Sequence, residues 1–120
     1  MYNKTLVIGA SINPNRYSNK AVKLLLEKGV EVSAIGNKQG EILGVEIFNS
    51  KELLENIHTV TLYLNAKNQE NYYDYVVRLK PERVIFNPGA ENLEFEKILT
   101  ANSIQFEKAC TLVLLSIGAY

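Results

Sequence analysis

The chain has 120 residues with 13 Lys plus Arg against 13 Asp plus Glu, so it carries no net field that would gather nucleic acid or an anionic membrane. Hydrophobic residues make up 47% and there are 7 Tyr, which excludes a disordered tail and fits one core, expected as a single domain over residues 1–120. The one cysteine, Cys110, excludes an internal disulfide and fits a reducing cytoplasm, and no apolar run nears the roughly 20 residues of a membrane span.

Met1-Tyr2-Asn3-Lys4 leads straight into Thr5–Ile8 with no signal-peptide pattern. Thr5–Ile8 is a β-branched, apolar run that stops at Gly9 and reads as a strand buried on both faces. The polar loop Ser11-Ile12-Asn13-Pro14-Asn15-Arg16-Tyr17 follows. Ser18 then stands as N-cap to a helix whose inner stripe is Ala21, Val22, Leu25 and Leu26, closed by Gly29 at the C′ position. Residues 31–35 form a second strand that ends in Gly36-Asn37-Lys38-Gln39-Gly40, and Val45–Phe48 a minor one.

Ser50 caps a short predicted helix carrying Leu53, Leu54 and Ile57. Residues 60–64 make the third main strand. A helix over residues 68–80 puts Tyr72, Val76 and Leu79 on one stripe before Pro81 stops it. Arg83–Phe86 is the fourth strand, followed by Asn87-Pro88-Gly89-Ala90-Glu91-Asn92. Phe95, Ile98 and Leu99 mark a last full helix, and residues 104–106 a short fifth strand. The apolar tail, residues 112–120, reads either as a capping helix or as a contact with a homo-oligomer or partner subunit.

This alternation is the pattern of βαβ units, so the expected class is α/β: a Rossmann-like, doubly wound parallel sheet of about five strands. Right-handed crossovers give the order 3-2-1-4-5, with ligands held beyond the carboxyl ends of the strands. That rule selects three loops, residues 9–18, 36–40 and 87–92. The first joins a strand to a helix start, where free N–H groups and the helix dipole favour a phosphate. Ser11 and Ser18 add hydroxyls and Arg16 a charge. The run Gly9-Ala10-Ser11-Ile12-Asn13-Pro14 has one glycine and not the three of a dinucleotide fingerprint, so a plain strand-to-helix turn remains open.

After the second strand, Gly36-Asn37-Lys38 replaces the acid of an NAD site. Lys38 suits a ribose bearing a phosphate, as in coenzyme A or NADP, and reads equally as a solvated turn lysine. Catalytic candidates are few. His58 precedes the third strand at the amino edge. Cys110 follows the last strand and reads as a packed thiol ahead of a reactive one, and Glu91 as a helix-start charge. Tyr72, Tyr73 and Tyr75 coat a helix. One Cys and one His leave no metal-ligand spacing.

Val7-Ile8-Gly9-Ala10-Ser11, the Asn13-Pro14 turn, Arg16 and Ser18 resemble the start of the small CoA-binding domain family. That domain also forms the N-terminal part of the succinyl-CoA synthetase alpha subunit. Ile42-Leu43-Gly44, the 86–92 run and Ala109-Cys110-Thr111-Leu112-Val113 extend the resemblance over essentially the whole chain. It implies coenzyme A, or an acyl-CoA, as ligand. Gly9, Ala10, Ser11 and Ile12 would line the pyrophosphate side, with Ser18 at the helix start and Lys38 in the second loop. Asn65 and Ala66 would follow the third strand, and Asn87, Pro88 and Gly89 would lie along the pantetheine path. The synthetase's phosphohistidine domain has no counterpart in these 120 residues, and the fourth-strand loop departs from the synthetase form. The reading is a CoA carrier, sensor or regulatory module with no catalytic centre; the alternative is an NADP-binding reductase or a ligase subunit acting with a separate chain.

Overall fold

A computed structural model describes residues 3–120; the leaderless start expected at Met1 and Tyr2 lies outside the described residues. Its centre is β1 (Thr5–Ile8), all four residues of which are buried. It is flanked by β2 (Val32–Ile35) and β5 (Thr59–Leu62), both parallel to it, with Thr5 opposite Val32 on one side and Thr59 on the other. The remaining strands are β3 (Gly40–Ile42), β4 (Val45–Phe48), β6 (Arg83–Phe86) and β7 (Gln105–Lys108). Among the described residues the seven stand in the order β3-β4-β2-β1-β5-β6-β7, and only the β3–β4 pair is antiparallel.

Alternation along the strands divides the core into two layers. Val7, Ala34 and Ile47 point to the face covered by Val22 and Leu25 of α1 (Tyr17–Glu27) and Leu115 of α5 (Thr111–Ser116). Leu6, Ile8, Val60, Leu62 and Phe86 point to the other, covered by Val76 of α3 (Tyr73–Leu79) and Phe95 and Leu99 of α4 (Leu93–Ala101). The α/β, doubly wound, mostly parallel architecture is therefore the one expected.

The strand order corrects the expectation of 3-2-1-4-5. The minor strand β4 pairs with β2 through Ala34–Ile47 and Ile35–Phe48 and holds its outer edge. The third main strand, β5, thus crosses to the far side of β1, and the main strands run 2-1-3-4-5. The partner of β4 escaped the sequence because the turn between β3 and β4 is Leu43-Gly44, both at positive φ (48° and 87°). An Asn or Asp at the first position would have signalled such a hairpin, whereas leucine does not.

The Ser50-capped helix is also overturned: residues 51–58 form no helix. Ser50 Oγ donates to the Glu52 carboxylate and not to a helix start, Asn56 sits at φ 59°, and two carbonyls are taken by side chains. Tyr75 donates its hydroxyl to Glu52 O (2.6 Å) and Lys4 Nζ donates to Glu55 O (2.9 Å). Leu53 is 99% exposed while Ile57 is buried, so the apolar residues share no face. The helix expected over 68–80 is broken into α2 (Ala66–Gln69), a 3-10 turn (Glu70–Tyr72) and α3, with Tyr75 and not Tyr72 buried beside Val76. Lys80 at φ 51° then ends α3 ahead of Pro81.

The end of α1 follows expectation. Gly29 (φ 79°) donates to Leu26 O and Val30 to Leu25 O, the paired bonds of a left-handed helix stop. The apolar tail packs back on the sheet as a capping helix, with Leu115 buried and the Tyr120 hydroxyl bonded to Thr5 Oγ1. Among the described residues no helix is long and apolar enough to cross a membrane.

Candidate functional site

The first loop is fastened to the second by backbone. The N–H groups of Gly9 and Ala10 both donate to Ile35 O (2.8 and 2.9 Å), and Gly36 N donates to Phe48 O (2.9 Å). Gly9 (φ 98°) lies where a Cβ would fall 2.8 Å from Tyr63 O, and a Cβ on Gly36 would fall 2.2 Å from Ala10 O. Both glycines are therefore required by the close approach of backbone segments.

Beyond Ala10 the loop winds on its own side chains. Ser11 Oγ accepts from Asn13 N (3.1 Å), Asn13 Oδ1 from Asn15 N (2.9 Å), and Asn13 O from Arg16 N (3.1 Å). These bonds place Arg16, in extended conformation, at the N-cap of α1, and it offers no side-chain cap. Ser18, expected as the cap, is instead the second helical residue and is 4% exposed. The leading amides of Tyr17 and Ser18 are thus left without a capping side chain, and no acid occupies the first turn.

The third and fourth loops are clamped together on the opposite wall. Gln69, fully buried, donates from Nε2 to Leu64 O (2.8 Å) and Ala90 O (2.7 Å) and accepts from Asn92 Nδ2 (3.0 Å). Asn65 caps α2 by accepting from Asn68 N (2.9 Å), and Gly89 N donates to the Glu91 carboxylate (3.0 Å). Glu91 therefore braces its own loop, while Asn92 caps α4.

The walls enclose a cavity of ≈ 500 Å³. Ten of the twelve residues expected at the site line it: Gly9, Ala10, Ser11, Ile12, Arg16 and Ser18 from the first loop, Lys38 from the second, and Asn65, Pro88 and Gly89 from the others. Ala66 and Asn87 do not. Ala66 opens α2, and Asn87 turns inward, 2% exposed, to bond Thr61, Leu62 O and Thr111 N. Tyr17, Gly36, Asn37 and Ala90, which belong to the three loops selected from the sequence, also line it, as do Tyr63, Leu64 and Tyr72, which lie outside those loops. Tyr63 and Leu64 were hidden by a boundary: β5 stops at Leu62, and residues just past a strand end face the crevice. Tyr72 reaches the cavity through the 3-10 break.

Arg16 and Lys38 are the charged lining residues, and no carboxylate is among the described residues that line the cavity. The arrangement suits an anion held by backbone amides, two hydroxyls and two cations. His58 and Cys110 lie outside it. His58 Nδ1 bonds Thr59 Oγ1 (2.8 Å) at the amino edge, and Cys110 precedes α5, half-buried.

Burial pushes the Tyr63 phenol up to about 12, tempered by nearby Thr111 and Thr61. Those two hydroxyls bond each other (2.7 Å), and the Tyr63 hydroxyl is buried with no hydrogen-bond partner among the described residues. Tyr63 thus presents a neutral hydroxyl throughout the physiological range. The unfolded chain releases this proton near pH 10 and the folded one holds it to about 12, so stability is complete below the lower value and falls as pH rises through the window. Tyr63→Phe should flatten that decline by up to about 1.4 kcal/mol per pH unit, read from urea midpoints at a series of alkaline pH values. An unchanged slope would remove Tyr63 as its source.

A family model described as CoA binding domain matches residues 3–116. No curated protein matches the chain. Among solved structures, a crystal structure of an uncharacterized protein is 47% identical, with 100% of this chain and 99% of that one covered at a TM-score of 0.97. A hypothetical protein from Pyrococcus horikoshii OT3 is 26% identical over 93% of this chain and 80% of that one, at a TM-score of 0.85. The dinucleotide forming acetyl-coenzyme A synthetase 1 of Ca. Korarchaeum cryptofilum, in complex with phosphate and ADP, is 13% identical at a TM-score of 0.73, and 90% of this chain covers 26% of it. That last likeness is one of fold. The loop geometry, the anion-suited cavity and a family match over nearly the whole length lead to one assignment: the chain belongs to the CoA binding domain family.

Proposed function

We propose that this chain binds coenzyme A or an acyl-CoA as a carrier, sensor or regulatory module and performs no chemistry of its own. The observation that carries the reading is the cavity where four strand-end loops meet at an uncapped helix start, with Arg16 and Lys38 as its charged groups. Membership of a CoA-binding family supplies the ligand class. The pyrophosphate would lie on the amides that open α1, with Ser11 and Ser18 beside it. Lys38 would meet the phosphate on the ribose, and Asn65, Pro88 and Gly89 would follow the pantetheine arm. The reading is non-catalytic because, among the described residues, no His or carboxylate lines the cavity to take a proton from its hydroxyls.

Lys38 supplies the test. Coenzyme A carries a ribose 3′-phosphate that dephospho-CoA lacks, and a charge-assisted contact to it should be worth about five- to thirtyfold in affinity. Wild-type protein should favour CoA over dephospho-CoA by that factor, less so at high salt. Lys38→Glu should weaken CoA far more than dephospho-CoA in calorimetric titrations. Equal losses would mean that Lys38 shapes the loop and does not read the phosphate. No CoA binding, with NADP bound in its place, would favour a reductase partner, and turnover of acyl-CoA by pure protein would overturn the non-catalytic part.

A further inference from the structure

Asn19 sits in the first turn of α1 with its side chain 2% exposed, and it does not line the cavity. Its Nδ2 donates to Ser11 O at 2.9 Å, a link across eight residues from helix to loop. Its Oδ1 is buried and has no hydrogen-bond partner among the described residues. A leucine of similar size would remove that stranded acceptor at the expense of the one bond to the part-buried Ser11 O, so the fold gains little from an amide here. What the amide secures is the Ser11–Ile12 peptide. A trans peptide is planar, with its C=O and N–H opposed, so drawing Ser11 O down to Asn19 turns the Ile12 N–H the other way, out of the core. That amide has no acceptor among the described residues, and Ser11 and Ile12 both line the cavity beside the uncapped start of α1.

We propose that Asn19 is a positioning residue: by holding Ser11 O it aims the Ile12 amide at the anionic group of the ligand, alongside the first amides of α1. The proposal rests on the CoA reading, with the diphosphate as the group held. Asn19→Leu, with Asn19→Ala as a second variant should leucine crowd the helix, is titrated with CoA and separately with inorganic pyrophosphate. Melting temperature and the Ile12 amide resonance are followed in each protein. A residue that only supports the fold would lower melting and leave the folded protein's affinity unchanged. The positioning role predicts that Asn19→Leu, which removes the stranded Oδ1 and loses the bond to Ser11 O together, melts close to the wild-type temperature and binds both CoA and pyrophosphate about tenfold more weakly. The Ile12 amide should shift on adding pyrophosphate to the wild type, and not in the variants. Affinity within twofold of wild type in both variants, or an Ile12 shift that persists, would overturn it. Pyrophosphate binding that depends on Asn19 in a protein that fails to bind CoA would sink the CoA reading and leave the positioning role standing. A wild type that binds neither would end both.

Discussion

Gly36→Ala is expected to lower the melting temperature by about 10 °C and to weaken CoA binding by at least about tenfold. The added Cβ would lie 2.2 Å from Ala10 O, 3.1 Å from Ala10 C and 3.2 Å from Ile47 Cγ2. Two of these are backbone atoms, held by the bonds from Gly9 N and Ala10 N to Ile35 O, so neither swings aside as a side chain would. Relief requires the end of β2 to part from the first loop by about 1 Å, and such overpacking typically costs about 1–3 kcal/mol. The same displacement moves Ala10 and Ser11, which line the cavity, so stability and binding fall together. Gly29→Ala separates this from a general effect of filling glycines. Nothing lies within 4 Å of a Cβ there, and the position is far along α1, so only the left-handed backbone (φ 79°) is penalised, by about 1 kcal/mol. Its CoA affinity should match wild type. Equal affinity losses in the two variants, measured at a temperature where both are folded, would rule out the loop contact as the cause.

What the sequence showed, and what it hid, follows from which interactions are local. β1 and the first loop were readable because a doubly buried strand is a continuous apolar run and its stop is a glycine. The α1 stripe was equally plain, with Ala21, Val22 and Leu25 buried and Gly29 closing the helix as its position implied. The strand order was not readable, because it depends on which strand occupies the outer edge of β2. That was decided by Val45–Phe48 pairing with Ile35 and Ala34, a contact that no local pattern announces. The supposed Ser50 helix failed for a related reason. Leu53, Leu54 and Ile57 have helical spacing, but Tyr75 and Lys4, distant in sequence, claim the carbonyls of Glu52 and Glu55. Ser18 was read as a cap because serine commonly caps. The Ser11 and Asn13 turns instead set the helix start two residues earlier, at Arg16.

Asn87 shows the limit of carrying a motif over residue by residue, and it yields the largest stability effect. Motif position placed it along the pantetheine path, yet it lies 2% exposed behind the cavity wall. Its Nδ2 donates to Thr61 Oγ1 (2.6 Å) and Leu62 O (2.9 Å), and its Oδ1 accepts from Thr111 N (2.9 Å), joining β6 to β5 and to the first residue of α5. Asn87→Leu strands Leu62 O and Thr111 N in the core. At about 1–3 kcal/mol for each buried group left unpaired, the loss should be about 3–5 kcal/mol, or roughly 10–20 °C in melting temperature. Asn87→Asp keeps an acceptor for Thr111 N but sets a buried carboxylate oxygen against Leu62 O in place of the donor, so a loss of comparable size is expected, felt at β5 and not at α5. Hydrogen exchange should report where the fold opens: the Thr111 and Leu115 amides should exchange faster in the leucine variant than in the aspartate one, because only the former releases α5. Ligand affinity then decides between strut and contact. If Asn87 acts only as a strut, folded Asn87→Asp should bind CoA within about threefold of wild type, since the residue does not line the cavity. A tenfold or greater loss, with the fold intact, would return Asn87 to the pantetheine path that its motif suggested.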